Sequence, residues 1–160
     1  MSDAVFKYDF SSHRLLLSNF RIGIVTAMWN ADITSLLNQG AIKTLLNLGV
    51  KEHNIKQLNV AGAYELPLGA LKLFSNSRCD GVIALGCVIK GDTPHFDYVC
   101  EGATQGIMKL MLEIQKPVGF GLITTLNKEQ AFERTGGVHG HKGQEAAETV
   151  LHQLIEYQNL

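Results

Sequence analysis

The sequence is poor in cysteine and in clustered charge, and each scarcity removes a class of function. Its three cysteines, Cys79, Cys87 and Cys100, are odd in number and form no CxxC pair. Neither a disulfide framework nor a cysteine-based zinc site is expected, and a reducing cytoplasm fits best. No run of lysine or arginine occurs and the formal net charge is -1. Such a chain lacks the field that attracts a phosphate backbone, so nucleic acid is not expected as a partner. The longest apolar stretch, Gly81 to Ile89, is far too short to span a bilayer. The opening MSDAVFKYDF lacks the cationic start and apolar run of a leader. Repeats, low-complexity tracts and long linkers are missing too. What remains is 160 residues, 46% hydrophobic and 18% charged. That suffices for one soluble domain, 1–160, with an ordinary core and no room for a second.

What is present is an alternation. Arg21 to Val25 (RIGIV) is a short β-branched run of the kind found in buried parallel strands. Asp32 can cap a helix whose apolar residues Ile33, Leu36, Leu37, Ala41, Leu45 and Leu48 recur at helical spacing, with Gly49 placed to stop it. Ile55 to Val60 reads as a second strand. Pro67 suits the first turn of a helix that presents Ala70, Leu71 and Phe74. Gly81 to Ile89 is the strongest strand. From Asp97 a helix carries Val99, Ala103, Ile107, Leu110, Met111 and Ile114 on one stripe until Pro117, and Val118 to Thr124 follows as strand four. Asn127 and Gln130 have capping-box spacing, and after a glycine-rich loop a last helix buries Ala147, Val150, Leu151 and Leu154. Four apolar strands alternating with helices predict a flavodoxin-like three-layer α/β sandwich around a four-stranded parallel sheet. Residues 1–19 form an arm outside this scheme. Its apolar Val5, Phe6 and Leu15 to Leu17 have no evident place in the domain, and such a segment can add a strand to a neighbouring subunit's sheet edge.

Ligands of open parallel sheets bind beyond the carboxyl ends of the strands. Those ends supply Trp29 and Tyr64 as an aromatic platform, Glu65 as a carboxylate, the turn Lys90-Gly91-Asp92-Thr93, and the imidazole of His95. The set suits a planar polar ring beside an anion. A glycine turn before a helix can hold phosphate on its N–H groups, although most such turns are plain turns and Asp92 opposes an anion there. An imidazole transfers protons near neutrality, but histidines also cap helices. Composition alone places a lone tryptophan in the core more often than at a site, and Glu65 can simply complement the start of its helix. Arg134 has the fork geometry of a phosphate clamp, or is an exposed helix-end cation. His139 and His141, in the loop GGVHGHKG, point to opposite sides if extended and lack a nearby third ligand, so no metal is expected.

Taken together, RIGIV…WNADIT, VAGAYELP, ALGCVIKGDTPHFDYV, PVGFGLITTLNKEQAFERTG and HKGQEAA resemble the successive blocks of the lumazine synthase family, in order and with matching spacing. The resemblance runs from about Phe20 to the last helix, and GCVIKGDTPHFDYV is its most specific block. It implies a transferase of riboflavin biosynthesis that condenses 5-amino-6-(D-ribitylamino)uracil with 3,4-dihydroxy-2-butanone 4-phosphate to 6,7-dimethyl-8-ribityllumazine, without metal or organic cofactor. By resemblance Trp29 stacks on the pyrimidine, Ala63, Tyr64 and Glu65 hold the ribityl chain and ring, and Cys87, Val88 and Ile89 line the ring pocket. Asp92 and Thr93 take the phosphate-side turn, and His95 the proton transfer. Phe120 and Arg134 match residues that a neighbouring subunit contributes, Arg134 gripping the phosphate with Lys142 close by. The implied assembly is a pentamer or an icosahedral capsid of sixty subunits, and the spacing from Arg134 to Lys142 follows the shell-forming pattern. Riboflavin synthase is a further partner the resemblance implies. Two positions depart from the family: Ala61 stands where proline is usual, and His141 where asparagine is common. The rivals fare worse. A phospho-acceptor receiver would need acidic residues where Ala27-Met28-Trp29 and Lys90 stand, and a flavodoxin would need a Ser/Thr/Gly-rich phosphate loop after strand one. A lumazine-binding shell protein of the same family with little catalysis is the remaining alternative.

Overall fold

A computed structural model of the chain describes residues 7–160. Strands β1 (Ile22–Ala27), β2 (Ile55–Val60), β3 (Gly81–Ile89) and β4 (Val118–Thr125) form one parallel sheet in the order β2-β1-β3-β4. The intervening helices are α2 (Ala31–Leu48), α3 (Leu66–Ser77), α4 (His95–Ile114), the short α5 (Lys128–Phe132) and α6 (Lys142–Tyr157), preceded by a single-turn α1 (Arg14–Leu17). The glycine-rich loop folds as a small antiparallel hairpin, β5 (Thr135–Gly137) with β6 (Gly140–His141).

Side-chain alternation along the strands divides the core into two layers. Ile22 and Ile24 of β1, Ile83, Leu85 and Cys87 of β3, and Ile123 of β4 pack under Ile33, Leu37 and Leu45 of α2 and Ala147, Val150 and Leu151 of α6. Val25 and Ala27, Val82 and Ala84, and Val118 and Leu122 pack under Leu66, Ala70 and Leu73 of α3 and Ala103, Ile107 and Leu110 of α4. Every residue of β1 is buried, as expected for a central strand covered on both faces.

The element order and the sheet match the sequence expectation, and the differences are local. α2 ends at Gly49 in the left-handed region (φ 113°), whose N–H donates to the Leu45 and Leu46 carbonyls. Its start is not capped by Asp32, however. Asn30, itself left-handed (φ 58°), is the N-cap residue, and Asp32 instead pairs with Lys128 of α5 at 2.5 Å, which holds its carboxyl below the ordinary range. Asn127 does cap α5, accepting from the Gln130 N–H at 2.9 Å, while the Gln130 side chain reaches back to the Leu126 N–H. α4 begins at His95, two residues before the expected start.

Part of the arm belongs to the core of its own domain, contrary to the sequence expectation. Leu17 is fully buried and Phe10 nearly so, both within the layer under α2 and α6, and Leu15 to Leu17 are helical. An amphipathic turn, with Leu15 exposed and Leu17 inward, gives part of the arm a place in its own domain. Val5 and Phe6 lie outside the described residues.

α6 carries one electrostatic conflict. Burial, and then the nearby Glu145, push the Glu148 carboxyl above its ordinary range. A raised carboxyl favours folding below the unfolded-state value and withdraws that stability as pH rises through the folded value. Glu148→Gln is therefore expected to raise the urea midpoint at neutral pH and to leave it unchanged below about pH 4.3, where both states are protonated. An equal gain at both pH values would place its origin in packing rather than charge.

Candidate active site at the switch point of the sheet

β1 is followed by a crossover to β2 on one side and β3 lies on its other side, so the chain reverses direction between β1 and β3. The crevice at their carboxyl ends is where a parallel sheet of this kind binds ligands. Two adjoining cavities open there. One, of about 220 Å³, is lined by Trp29, Asn30, Ala63, Cys87, Val88, Ile89, Gly91, Thr93, His95, Phe96 and Val99. The other, of about 280 Å³, is lined by Trp29, Gly62, Ala63, Tyr64, Glu65, His95, Tyr98 and Val99. Trp29, Ala63, His95 and Val99 border both.

Each lining residue is placed by a local cause. The Met28 N–H donates to the Val60 carbonyl and the Trp29 N–H to that of Ala61, at 2.9 and 3.1 Å. These bonds continue the β1–β2 pairing past the strands and set the indole against Gly62, whose missing Cβ leaves the ring room. Trp29 is 69% exposed, so the core position that composition favours for a lone tryptophan is not the one observed. Asn30 turns the chain into α2 and donates from Nδ2 to the Cys87 carbonyl at 2.9 Å, tying the loop after β1 to the end of β3. Asparagine is among the few residues that adopt the left-handed region readily.

The Glu65 carboxylate accepts from the Gly62 N–H at 2.9 Å, closing the turn that carries Ala63 and Tyr64. Both of its sequence readings therefore hold in part: it caps, and it lines the second cavity. Tyr64 lies against Gly102 of α4, where any side chain would strike its ring. Cys87 is 4% exposed, and burial pushes its thiol up to about 11. At neutral pH it is an uncharged wall, not a nucleophile. Beyond β3, the Lys90 N–H donates to the Thr125 carbonyl. Gly91, Asp92 and Thr93 then form an open, exposed turn leading to the first turn of α4, which no side chain caps. His95, exposed, stands at the head of that helix between the two cavities.

The structure thus brings Trp29, Ala63, Tyr64, Glu65, Cys87, Val88, Ile89, Thr93 and His95 to one crevice, with Asp92 in the adjoining turn. Phe120, Arg134 and Lys142 do not line it. Phe120 lies on the edge strand β4, on the face opposite α6 and half exposed. Arg134 is half-buried, its Nη1 donating to the Gln130 carbonyl at 2.7 Å. Lys142 pairs with Glu145 at 2.6 Å. The two loop histidines part ways: His139 lies 3.7 Å from Glu133, while His141 caps α6. Asn30 and Tyr98 carry no sequence signal of their own beyond position, Asn30 next to Trp29 and Tyr98 three residues past His95 on one helical face. Val99, read as part of the apolar stripe of α4, also borders both cavities.

A parallel α/β sandwich with an aromatic-walled crevice at its switch point and an imidazole at its mouth defines an enzyme of small planar ligands. The particular family follows from comparison. The 6,7-dimethyl-8-ribityllumazine synthase family model matches residues 19–157, and the chain belongs to that family. It is 50% identical over 140 residues to the 6,7-dimethyl-8-ribityllumazine synthase of Cytophaga hutchinsonii, covering 88% of each chain. To the enzyme of the same name from Bacteroides fragilis it is 51% identical over 137 residues, 86% of this chain and 95% of the relative. To that of Porphyromonas gingivalis it is 51% identical over 133 residues, 83% of each.

Proposed function

We propose that the chain condenses 5-amino-6-(D-ribitylamino)uracil with 3,4-dihydroxy-2-butanone 4-phosphate to give 6,7-dimethyl-8-ribityllumazine, the transferase step of riboflavin biosynthesis that gives its family its name. The observation that carries this reading is the crevice itself, with the family's aromatic, ring-pocket and imidazole positions converging on it. Trp29 offers a face for the pyrimidine to stack on. Ala63, Tyr64 and Glu65 border the second cavity, suited to the ribityl chain, and Cys87, Val88 and Ile89 wall the first, suited to the growing ring. The open turn through Asp92 and Thr93, ahead of the uncapped start of α4, offers N–H groups to a phosphate. No resident metal or organic cofactor enters this scheme.

The 5-amino group attacks the ketone and an imine forms with loss of water. Phosphate is then eliminated, and attack of the ribityl-bearing nitrogen closes the second ring with loss of a second water. Each step moves a proton, and His95 stands between the two cavities to give and take it. Holding two reactants in one crevice supplies much of the remaining acceleration. A lumazine-binding shell without catalysis would have no use for an imidazole there. Mixing the purified protein with both substrates should produce lumazine fluorescence. Binding of the pyrimidine with no product at any concentration of the phosphate would overturn the catalytic reading.

Phe120, Arg134 and Lys142 complete the site from a neighbouring subunit, so the working unit, a single domain spanning 1–160, is a homo-oligomer. A pentamer is its smallest form and a sixty-subunit capsid the full assembly. Riboflavin synthase, which consumes the product, is the natural macromolecular partner, and the reducing cytoplasm the natural compartment. Arg134→Ala is expected to raise the KM for the butanone phosphate by about 10- to 100-fold, the loss of a charge-assisted phosphate contact. The KM for the pyrimidine should change little. Equal weakening for both substrates would reject the clamp.

A further inference from the structure

His141 and Gly40 form a joint that the reaction scheme above does not use. Gly40 lies buried in the middle of α2, where glycine is less favourable than alanine by about 1 kcal/mol. A Cβ there would collide with Cε1, Nε2 and Nδ1 of the His141 ring. Close by, a Cβ on Gly143, in the first turn of α6, would collide with the Leu37 carbonyl. One glycine on each helix thus lets the start of α6 dock onto α2, and the imidazole fills the notch.

The ring also does what an N-cap does. Nδ1 accepts from the Gln144 N–H at 3.4 Å, satisfying one of the unpaired donors at the start of α6, and the ring hydrogen-bonds the Leu36 backbone. His141 pairs with Thr135 across the β5–β6 hairpin, and the next residue, Lys142, donates its N–H to the Arg134 carbonyl at 2.9 Å. The base of the hairpin, where Arg134 and Lys142 lie side by side, is therefore pinned to α2 through one ring.

We propose that His141 is a positioning residue for the phosphate subsite: seated in the Gly40 notch and capping α6, it fixes the hairpin base that carries the phosphate clamp Arg134, with Lys142 beside it. The inference rests on the phosphate role assigned to Arg134, with Lys142 close by. The capping role requires a neutral ring, because a protonated Nδ1 would direct an N–H at the N–H of Gln144. Burial against α2 lowers the proton affinity of the ring, with backbone carbonyls and Glu145 pulling the other way. The charged groups around it are Glu145 and Lys142 of α6, paired with each other. α2 presents Leu36, Leu37 and Gly40, and the hairpin presents Thr135 and Gly136. The cap is intact above the ordinary histidine value of about 6.5 and is lost as pH falls through the lower folded value.

The test is steady-state kinetics of the assembled enzyme for His141→Ala, His141→Asn and Arg134→Ala, with each substrate varied across pH. His141→Ala should raise the KM for the butanone phosphate roughly three- to tenfold, with kcat and the pyrimidine KM little changed. His141→Asn, which keeps a capping acceptor, should recover most of that loss and abolish the part of the acid-side rise in KM that the histidine contributes. If Arg134→Ala raises the KM while His141→Ala does not, the positioning role is wrong. If Arg134→Ala itself has no effect, the phosphate assignment fails. Amide hydrogen exchange at Gln144 and across the hairpin then decides the positioning: faster exchange in His141→Ala sustains it and unchanged exchange overturns it. Should His141→Ala not fold, His141→Asn decides, and a pH profile identical to that of the parent overturns the inference.

Discussion

Replacing His95 with alanine is expected to leave the chain folded and to lower turnover by about 10- to 1000-fold, the range for removal of a general acid or base. The residue is exposed at the head of α4, so its loss removes no core packing. It borders both cavities, and no other histidine lines either. The other titratable groups on the crevice wall are poorly suited to the work. The Cys87 thiol is pushed up to about 11, and Glu65 is committed to the Gly62 N–H. Tyr64 and Tyr98 contribute ring faces and phenol hydroxyls to the wall of the second cavity. The residual rate should reflect the crevice holding both reactants together. Turnover at saturating concentrations of both substrates, with circular dichroism as the check on folding, is the measurement. Parent-like turnover would remove His95 from the chemistry.

The fold was legible because its signals are repeated. Gly81 to Ile89 is apolar throughout because β3 is covered on both faces, and its limits coincide with the observed strand. Gly49 and Asn127 act at helix ends as their residue types predict. Tertiary partners are what a linear reading cannot supply. Asp32 has the right chemistry for a cap, but Lys128, nearly a hundred residues away, holds its carboxylate, and a left-handed Asn30 takes the N-cap position. Leu17 looked homeless because the core layer it joins includes α6, at the far end of the chain.

The site was legible in a different way. Its positions followed from the strand ends, but the balance of readings at each residue depended on exposure. Trp29 would have been assigned to the core on composition, and only its place beyond β1, with the Ala61 carbonyl holding its N–H, brings it out over Gly62. Ala61, where the family usually has proline, keeps the carbonyl on which that geometry depends. His141, a candidate metal ligand by type, is a cap and a wedge by position. Neither role can be read without knowing that Gly40 stands opposite.

Mixing two crippled subunits should restore activity that neither has alone. The separation of Phe120, Arg134 and Lys142 from the crevice lined by Trp29 and His95 is the observation behind this expectation. If every working site takes its imidazole from one subunit and its phosphate clamp from the next, His95→Ala and Arg134→Glu damage opposite halves. In oligomers reassembled at random from equal amounts of the two, about a quarter of the interfaces join two intact halves. Activity at low butanone phosphate should then approach about a quarter of the parent's, far above the mean of the two separate variants. Mixtures no more active than that mean, after exchange of subunits has been verified by mass, would reject the shared site. The size of the active particle is decided in the same samples. The hairpin between Arg134 and Lys142 is short, β5 and β6 enclosing only Val138 and His139, and the proposal of a shell rather than a pentamer rests on that short spacing. Light scattering at neutral pH should therefore find a particle of about sixty subunits. A homogeneous particle at the pentamer mass would reject the shell and retain the shared site, whereas a stable, fully active monomer would reject both.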